Sequence, residues 1–331
     1  HSRALPLVKS RLSPAGATQF SVGRLRELFP TVVEQDFVSG GQVYALPLYL
    51  DTLALLYNRN LFDQAKIIGP PQTWSDFQKV VPYLRTLNIS GQLTRAGAAI
   101  GGSEKSVAWA VDIVSLIMMQ YGAPMTNASS KNVAFAGQAG SAGYQAFNFY
   151  LQFANGASPA YTWNDNFGNS LSRFAEGKTA MAFGYKADVG RIKSQSPFIS
   201  MGVSGMPQAG EAVVNYADYW GLGVSRQSRS PSWAWDFLAY ITGEPTLAKS
   251  FSSKTGLPPA LRSVIGENLR SDEFGVFASQ ALTARSWFQP DEAQVRSILS
   301  EAISSVLAGR TDSATALEQA EDGVSRLMQN I

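Results

Sequence analysis

Two apolar runs lie close together near the start of the chain. They are 43–50, which reads Val-Tyr-Ala-Leu-Pro-Leu-Tyr-Leu, and 53–57, and only Asp51 and Thr52 separate them. Each is strand-length and apolar almost without alternation, the pattern of a strand buried on both faces of a sheet. Helical segments follow. Thr73 with Asp76 forms a capping box ahead of Phe77, Val80, Val81, Leu84 and Leu87, and Pro82 inside that pattern is expected to kink the helix. Apolar helices are expected over 107–121 and 142–154. Phe174-Ala-Glu-Gly-Lys-Thr-Ala-Met-Ala-Phe-Gly-Tyr185 reads as a helix end, a glycine stop and a short buried strand, and 201–206 and 216–225 as further extended pieces. Ser230-Pro231 starts a helix through Trp235, Phe237, Leu238 and Ile241, with Ser230 as its cap. Two more helices end the chain, one either side of Gly309. Strands alternating with helices throughout define an α/β chain without internal repeats, and 331 residues suffice for two domains.

Composition removes much chemistry. There is no cysteine and one histidine, His1, so a Cys/His zinc site, a thiol nucleophile, a Ser-His-Asp triad and an imidazole acid–base pair are all excluded. Neither a metal site nor a cofactor is expected. The 27 basic and 25 acidic residues nearly cancel and form no basic stripe, which argues against nucleic acid. No run reaches the length of a membrane span. The chain opens on His1-Ser2-Arg3, with neither an initiator Met nor a secretory signal pattern, so either a cloning remnant or an interior start is expected.

Two motif fragments fail on inspection. Glu176-Gly-Lys-Thr179 ends like a phosphate-binding loop, but Ser172 stands where the first glycine is required. Gly221-Leu-Gly223 is half a dinucleotide fingerprint, with Arg226 at the third glycine. Paired carboxylates could hydrolyse a glycosidic bond, and Asp51, Asp165, Asp218 and Asp291 all lie near aromatics, although structural roles suit each of them better.

Aromatic residues form 11% of the chain and divide into two groups. Trp74, Trp233 and Trp235 sit at helical spacing and are expected to pack. Trp163, Tyr185, Tyr219, Trp220 and Trp287 stand at loop centres or strand ends among Asn164, Asp165, Asp218 and Ser286. A flat apolar ring beside carboxylates and amides suits a sugar, whose C–H face stacks while its hydroxyls find acceptors.

At this level the chain resembles the extracellular solute-binding proteins of ABC importers, of the carbohydrate-binding, maltose-binding-protein-like type. The resemblance rests on Gly41-Gln-Val-Tyr-Ala-Leu-Pro-Leu-Tyr-Leu-Asp-Thr52 with Leu56-Tyr-Asn-Arg-Asn-Leu-Phe62, then Pro70-Pro-Gln-Thr-Trp-Ser-Asp-Phe77 and Phe174-Ala-Glu-Gly-Lys-Thr-Ala-Met181. Trp233-Ala-Trp-Asp-Phe-Leu238, Thr255-Gly-Leu-Pro-Pro259 and Ser286-Trp-Phe288 complete it, in the family's order over nearly the whole chain.

The resemblance implies a type II periplasmic-binding-protein fold, two α/β lobes with hinge crossings and ligand in an interlobe cleft. It places crossings near 98–102, 217–224 and 280–286, hence an N-terminal lobe of 1–99 with 222–279 and a C-terminal lobe of 100–221 with 280–331. Ligand-facing residues would be Tyr49 and Asp51 on one lobe, Trp163, Tyr185 and Trp287 on the other, and Asp218, Tyr219 and Trp220 at a crossing. Trp109 is added, with a core role equally open. Gly41-Gln-Val-Tyr arrives earlier than the family pattern places it, which implies a shortened first lobe lacking its opening strands. The implied protein is a monomeric, non-catalytic sugar binder serving an ABC permease, periplasmic or extracellular, with the membrane involved only through a lost lipid anchor. A carboxylate-dependent glycoside hydrolase and a protein-binding scaffold are the alternatives.

Overall fold

The strands Asp51–Thr52 and Ala54–Asn58 are almost contiguous, yet they pair with different partners. Asp51–Thr52 runs antiparallel to Asn215–Asp218, and Ala54–Asn58 runs antiparallel to Met181–Gly184 and to Met201–Ser204. A computed structural model of the chain describes residues 1–126 and 132–329. It divides into two compact units at that point. Unit 1 comprises His1–Leu53 and Asn215–Asp291; unit 2 comprises Ala54–Val214 and the chain from Glu292 through the last helix.

The crossings therefore fall at 53/54, 214/215 and 291/292, which moves all three from the expected positions. Residues 54–99 go with unit 2 because Ala54–Asn58 is the central strand of its sheet, and the Ala96 amide donates to the Lys178 carbonyl while its carbonyl accepts from the Ala180 amide within the same unit. Residues 215–221 and 280–291 go with unit 1 because Asn215–Asp218 pairs in parallel with Ala284–Arg285.

In unit 1 the segment expected as one strand over 43–50 is broken into shorter pieces. Gln42–Val43 closes a hairpin with Val38–Ser39, and Leu46–Pro47 pairs with Gly221–Leu222. Gly40 and Gly41 form that hairpin's turn with φ of 57° and 73°, the positive values a two-residue primed turn demands. Leu12–Ser13 pairs with Val224–Ser225. Helices Val22–Leu28, Thr31–Phe37, Pro231–Gly243 and Arg262–Asn268 bury Leu25, Phe37, Trp235 and Ile265 in one apolar core with Phe20, Phe29 and Leu50.

Helix Pro231–Gly243 corrects two expectations. Ser230 makes no side-chain capping bond, so Pro231 with its preset φ starts the helix unaided. Trp233 does not pack. Trp235, Leu238, Ala239 and Thr242 define the buried stripe, and Trp233, two residues and about 200° from Trp235, is 77% exposed.

Unit 2 is built on the three-stranded antiparallel sheet ordered Met201–Ser204, Ala54–Asn58, Met181–Gly184. Met181–Gly184 is buried throughout, as its unbroken apolar run requires, and Gly177 ahead of it has φ 70°. Gly202 sits opposite Tyr57 in the register, where a Cβ would lie 2.2 Å from the phenol ring, so only glycine admits that ring across the strand. Helix Trp74–Leu84 is capped by Thr73, whose hydroxyl accepts the Asp76 N–H at 3.1 Å. Pro82 stands in its last turn, and the helix ends two residues later. Trp74, Phe77, Phe149, Phe153 and Phe183 meet edge-on or tilted, a core cluster that accounts for Trp74 as the sequence suggests. Helix Glu292–Leu307 packs on Ser313–Gln329 and on Ala110–Gln120. No helix among the described residues is long and apolar enough to cross a membrane.

Candidate functional site

Each unit gathers some of the anticipated residues around one polar network. In unit 2 the centre is Trp109. The expected helix over 107–121 begins only at Ala110, because Trp109 adopts a left-handed conformation with φ 63° and ψ 23°. A bulky residue held there costs on the order of 1–3 kcal/mol and persists only where its surroundings determine it. They do so from three sides. The indole N–H donates to Asp188 Oδ2 at 2.8 Å, the Tyr185 ring meets it edge-on at 4.9 Å between centroids, and the Arg296 guanidinium lies over it at 5.3 Å. The ring remains half-buried, so part of it is open to solvent.

Arg296, on helix Glu292–Leu307, holds this arrangement together. It donates to Glu104 at 2.6 Å, to both oxygens of Asp112 at 2.8 Å, and to Glu292 at 3.2 Å. Tyr185 is buried, and its hydroxyl donates to Asp112 at 2.8 Å. Burial opposes the guanidinium's charge, but Asp112 and Glu104 outweigh it and hold Arg296 above its ordinary pKa. Burial, reinforced by the Asp112 charge, pushes Glu104 up against the pull of Arg296. Asp188 caps helix Lys186–Gln195 and accepts the Tyr185 N–H at 3.0 Å, so one carboxylate orients both rings.

Trp163, expected at a binding surface, is fully buried in unit 2. Its indole N–H donates to Ser106 Oγ at 2.9 Å, and that hydroxyl donates to Asp165 at 2.7 Å. Asp165 also accepts from the Ser103 amide and hydroxyl, which occupies the carboxylate in holding a loop.

In unit 1 the register sets Asp218 directly opposite Asp51. Two like charges so placed repel, and each is compensated. Asp218 accepts from His1 Nε2 at 2.8 Å and from Arg3 at 3.1 Å, while Asp51 accepts the Thr52 N–H at 2.8 Å. Tyr49 is half-buried beside them, and burial together with the charges of Asp218 and Asp51 pushes its phenol well up, keeping it protonated as a hydrogen-bond donor. Trp220 is 59% exposed, and His1 meets it edge-on at 5.4 Å. Tyr219 points the other way into the core, and Trp287 is buried. Thus Tyr49, Asp51, Asp218 and Trp220 cluster in unit 1, and Trp109 and Tyr185 in unit 2. Trp163, Tyr219 and Trp287 are enclosed by protein.

Sequence reading missed Arg296, Glu104, Asp112 and Asp188. Asp112 carried a usable signal, since a carboxylate inside the apolar stretch Ala-Val-Asp-Ile-Val requires a partner. Nothing local marks Arg296, which lies 184 residues away.

The network offers open ring surface and fixed hydrogen-bonding groups, while Asp112, Asp165 and Asp188 are engaged in holding the structure. It is suited to binding. Among solved structures, the cyclic α-maltosyl-1,6-maltose binding protein of Arthrobacter globiformis matches with TM-score 0.79 at 18% identity, over 100% of this chain and 83% of that one. The sugar-binding protein MalE of Xanthomonas citri matches with TM-score 0.79 at 16% identity, over 98% and 80%. UgpB of Mycobacterium tuberculosis, solved with glycerophosphocholine, matches with TM-score 0.72 at 17% identity, over 98% and 80%. The fold is thus that of the type II periplasmic binding proteins. The family model for bacterial extracellular solute-binding proteins matches residues 31–274, most of the chain. The protein belongs to the bacterial extracellular solute-binding protein family, and its function is to bind a solute rather than to catalyse a reaction.

Proposed function

We propose that the chain is the extracytoplasmic receptor of an ABC importer for a sugar or oligosaccharide, delivering it to the permease as a monomer. The protein would be periplasmic or extracellular and tethered by a lipid anchor. Trp220 and Trp109 supply stacking faces. Tyr49 donates, and Asp51 and Asp218 accept, hydrogen bonds to sugar hydroxyls. Tyr185, Trp163, Tyr219 and Trp287 set the surfaces from behind.

The observation that carries this reading is Trp109, a half-buried indole kept in a strained backbone conformation by Asp188, Tyr185 and Arg296. A ring needed only for packing would not require that conformation. Neighbours solved with maltotetraose, acarbose and mannobiose support the ligand class. Calorimetric titration with maltotetraose, mannobiose and tagatose, beside glycerophosphocholine, tests it. Binding of at least one saccharide, weakened by Trp109→Ala, is the expected outcome. Binding of glycerophosphocholine with no response to any saccharide would overturn the sugar assignment.

A further inference from the structure

A cleft of about 490 Å³ opens on the surface of unit 1, lined by residues 6–14, the hairpin strand around Gln42 and the residue after strand Val224–Ser225. It shares no residue with either aromatic cluster. Two cations line it and no acid does: Lys9, in the helical turn Lys9–Arg11, and Arg226. The partners of both are neutral. Lys9 Nζ donates to Ser39 Oγ at 2.8 Å and lies over the Tyr44 ring at 5.4 Å, and Arg226 Nη1 donates to the Ser10 carbonyl at 3.3 Å. A third cation stands next to them, because the Arg226 N–H donates to the Arg11 carbonyl at 2.8 Å, one step beyond the pair Leu12–Ser225. Like charges set side by side on paired segments repel. Elsewhere in the same unit Arg26 and Lys249 each meet a carboxylate at 2.6 Å, whereas Lys9, Arg11 and Arg226 have no ion-pair partner among the described residues.

We propose that this cleft is a second ligand site, one that takes a small phosphomonoester such as a polyol phosphate. A phosphomonoester carries nearly two negative charges at neutral pH and presents three terminal oxygens, which matches two lining cations and the donors around them. Arg226 brings the planar fork that meets two of those oxygens at once, and Lys9 a compact charge for the third. Ser10, Ser13 and Gln42 add hydroxyl and amide donors. A carboxylate, with one charge and two oxygens, would leave part of this set unused. The organic portion has a surface of its own in Leu12, Pro14 and the buried Tyr44, and the volume is that of an ordinary small-molecule site. Two sources carry this chemistry, a soluble polyol phosphate and the headgroup of phosphatidate.

The test titrates the whole chain with glycerol phosphate at low ionic strength and follows the tryptophan indole N–H signals by NMR. Trp235 is the reporter, since its indole N–H donates at 3.1 Å to the carbonyl of Ser13 in the cleft lining. Its signal should shift saturably while those of Trp109 and Trp220 stay in place, and glycerol without the phosphate should move none of them. Calorimetry should give an affinity about tenfold weaker in Lys9→Gln and in Arg226→Gln, the scale of one charge-assisted hydrogen bond, and weaker again at raised salt. Each variant should keep the wild-type indole spectrum in the absence of ligand, which separates lost binding from lost structure. Phosphatidylcholine vesicles with and without phosphatidate distinguish the sources. Capture by phosphatidate vesicles alone, abolished by the double exchange at Lys9 and Arg226, assigns the cleft to the lipid headgroup; a response to glycerol phosphate with no capture assigns it to the soluble ester. Failure of both probes, an affinity that survives the double exchange, or glycerol binding as well as its phosphate would overturn the site. Sulfate competing on equal terms with glycerol phosphate would overturn its assignment to an organic ester.

Discussion

The two units solve one problem, fixing aromatic side chains beside polar groups, with opposite electrostatics. In unit 2 a single cation, Arg296, is shared among Glu104, Asp112 and Glu292, and Trp109 lies beneath it. In unit 1 a single anion, Asp36, is shared between two neutral hydroxyls, and the tryptophans are reached one residue further along the chain. The first arrangement neutralises buried charge and stays charged across ordinary pH. The second leaves a buried charge without a hydrogen-bonded cation, so it titrates within reach of physiological pH. A guanidinium clamp gives permanence; a lone carboxylate gives sensitivity.

The largest effect expected is from removing the clamp. Arg296→Met removes the forked guanidinium bond to fully buried Asp112 and should cost about 3–5 kcal/mol in urea unfolding. Arg296→Lys should restore only part, since a lysine cannot present the forked donor set. A loss below about 1 kcal/mol would erase the contrast drawn between the units.

Next in size is the pH dependence of stability contributed by Asp36. Its folded pKa of about 6 lies above the ordinary aspartate value. The protonated form is thus favoured in the folded state, and stability is lost as pH rises from the unfolded value through the folded one, by about 3 kcal/mol. The wild-type minus Asp36→Asn difference in unfolding free energy should slope downward across that window and be flat above it. A difference that does not change with pH would place Asp36 with the insensitive unit.

The two exposed faces should then separate. Trp109→Ala is expected to lower saccharide affinity about tenfold or more and to destabilise by about 1–3 kcal/mol, because it removes a ring integrated with the clamp. Trp220→Ala should lower affinity comparably with stability changed by less than about 0.5 kcal/mol, read in the same calorimetry and unfolding experiments. The smallest effect, Thr73→Ala, touches neither network and should cost about 1 kcal/mol through the lost helix cap. It calibrates what a purely local change does in unit 2.

The legible parts of the fold were those set by neighbouring residues. Thr73 caps its helix, Gly177 stops another, and 181–184 is a buried strand, because capping, φ > 0 and apolar continuity act over a few residues. Trp233 was misread because the apolar stripe of its helix is phased by packing on distant pieces of chain such as Leu46–Pro47, in one core with Phe20, Leu25 and Leu50. The boundary at 53/54 was missed for a related reason. Asp51–Thr52 and Ala54–Asn58 look like one extended region until their partners, more than 120 residues on, are known. Of the anticipated site residues, those beside solvent-exposed polar turns, Trp220 and Asp218, lie in an accessible cluster, whereas Trp163 and Tyr219 carry the same local pattern and are enclosed.

The amino-acid sequence by itself determined the α/β class, the absence of thiol and imidazole catalysis, the family and the wealth of aromatic residues. All of these follow from residue types and short-range order. Only the tertiary structure decided which rings stay open, where the chain changes unit, and which distant segments Arg296 and Asp36 join. Those outcomes depend on partners hundreds of residues apart, brought together by strand register and helix packing, and no local pattern specifies a charge's partner at that separation.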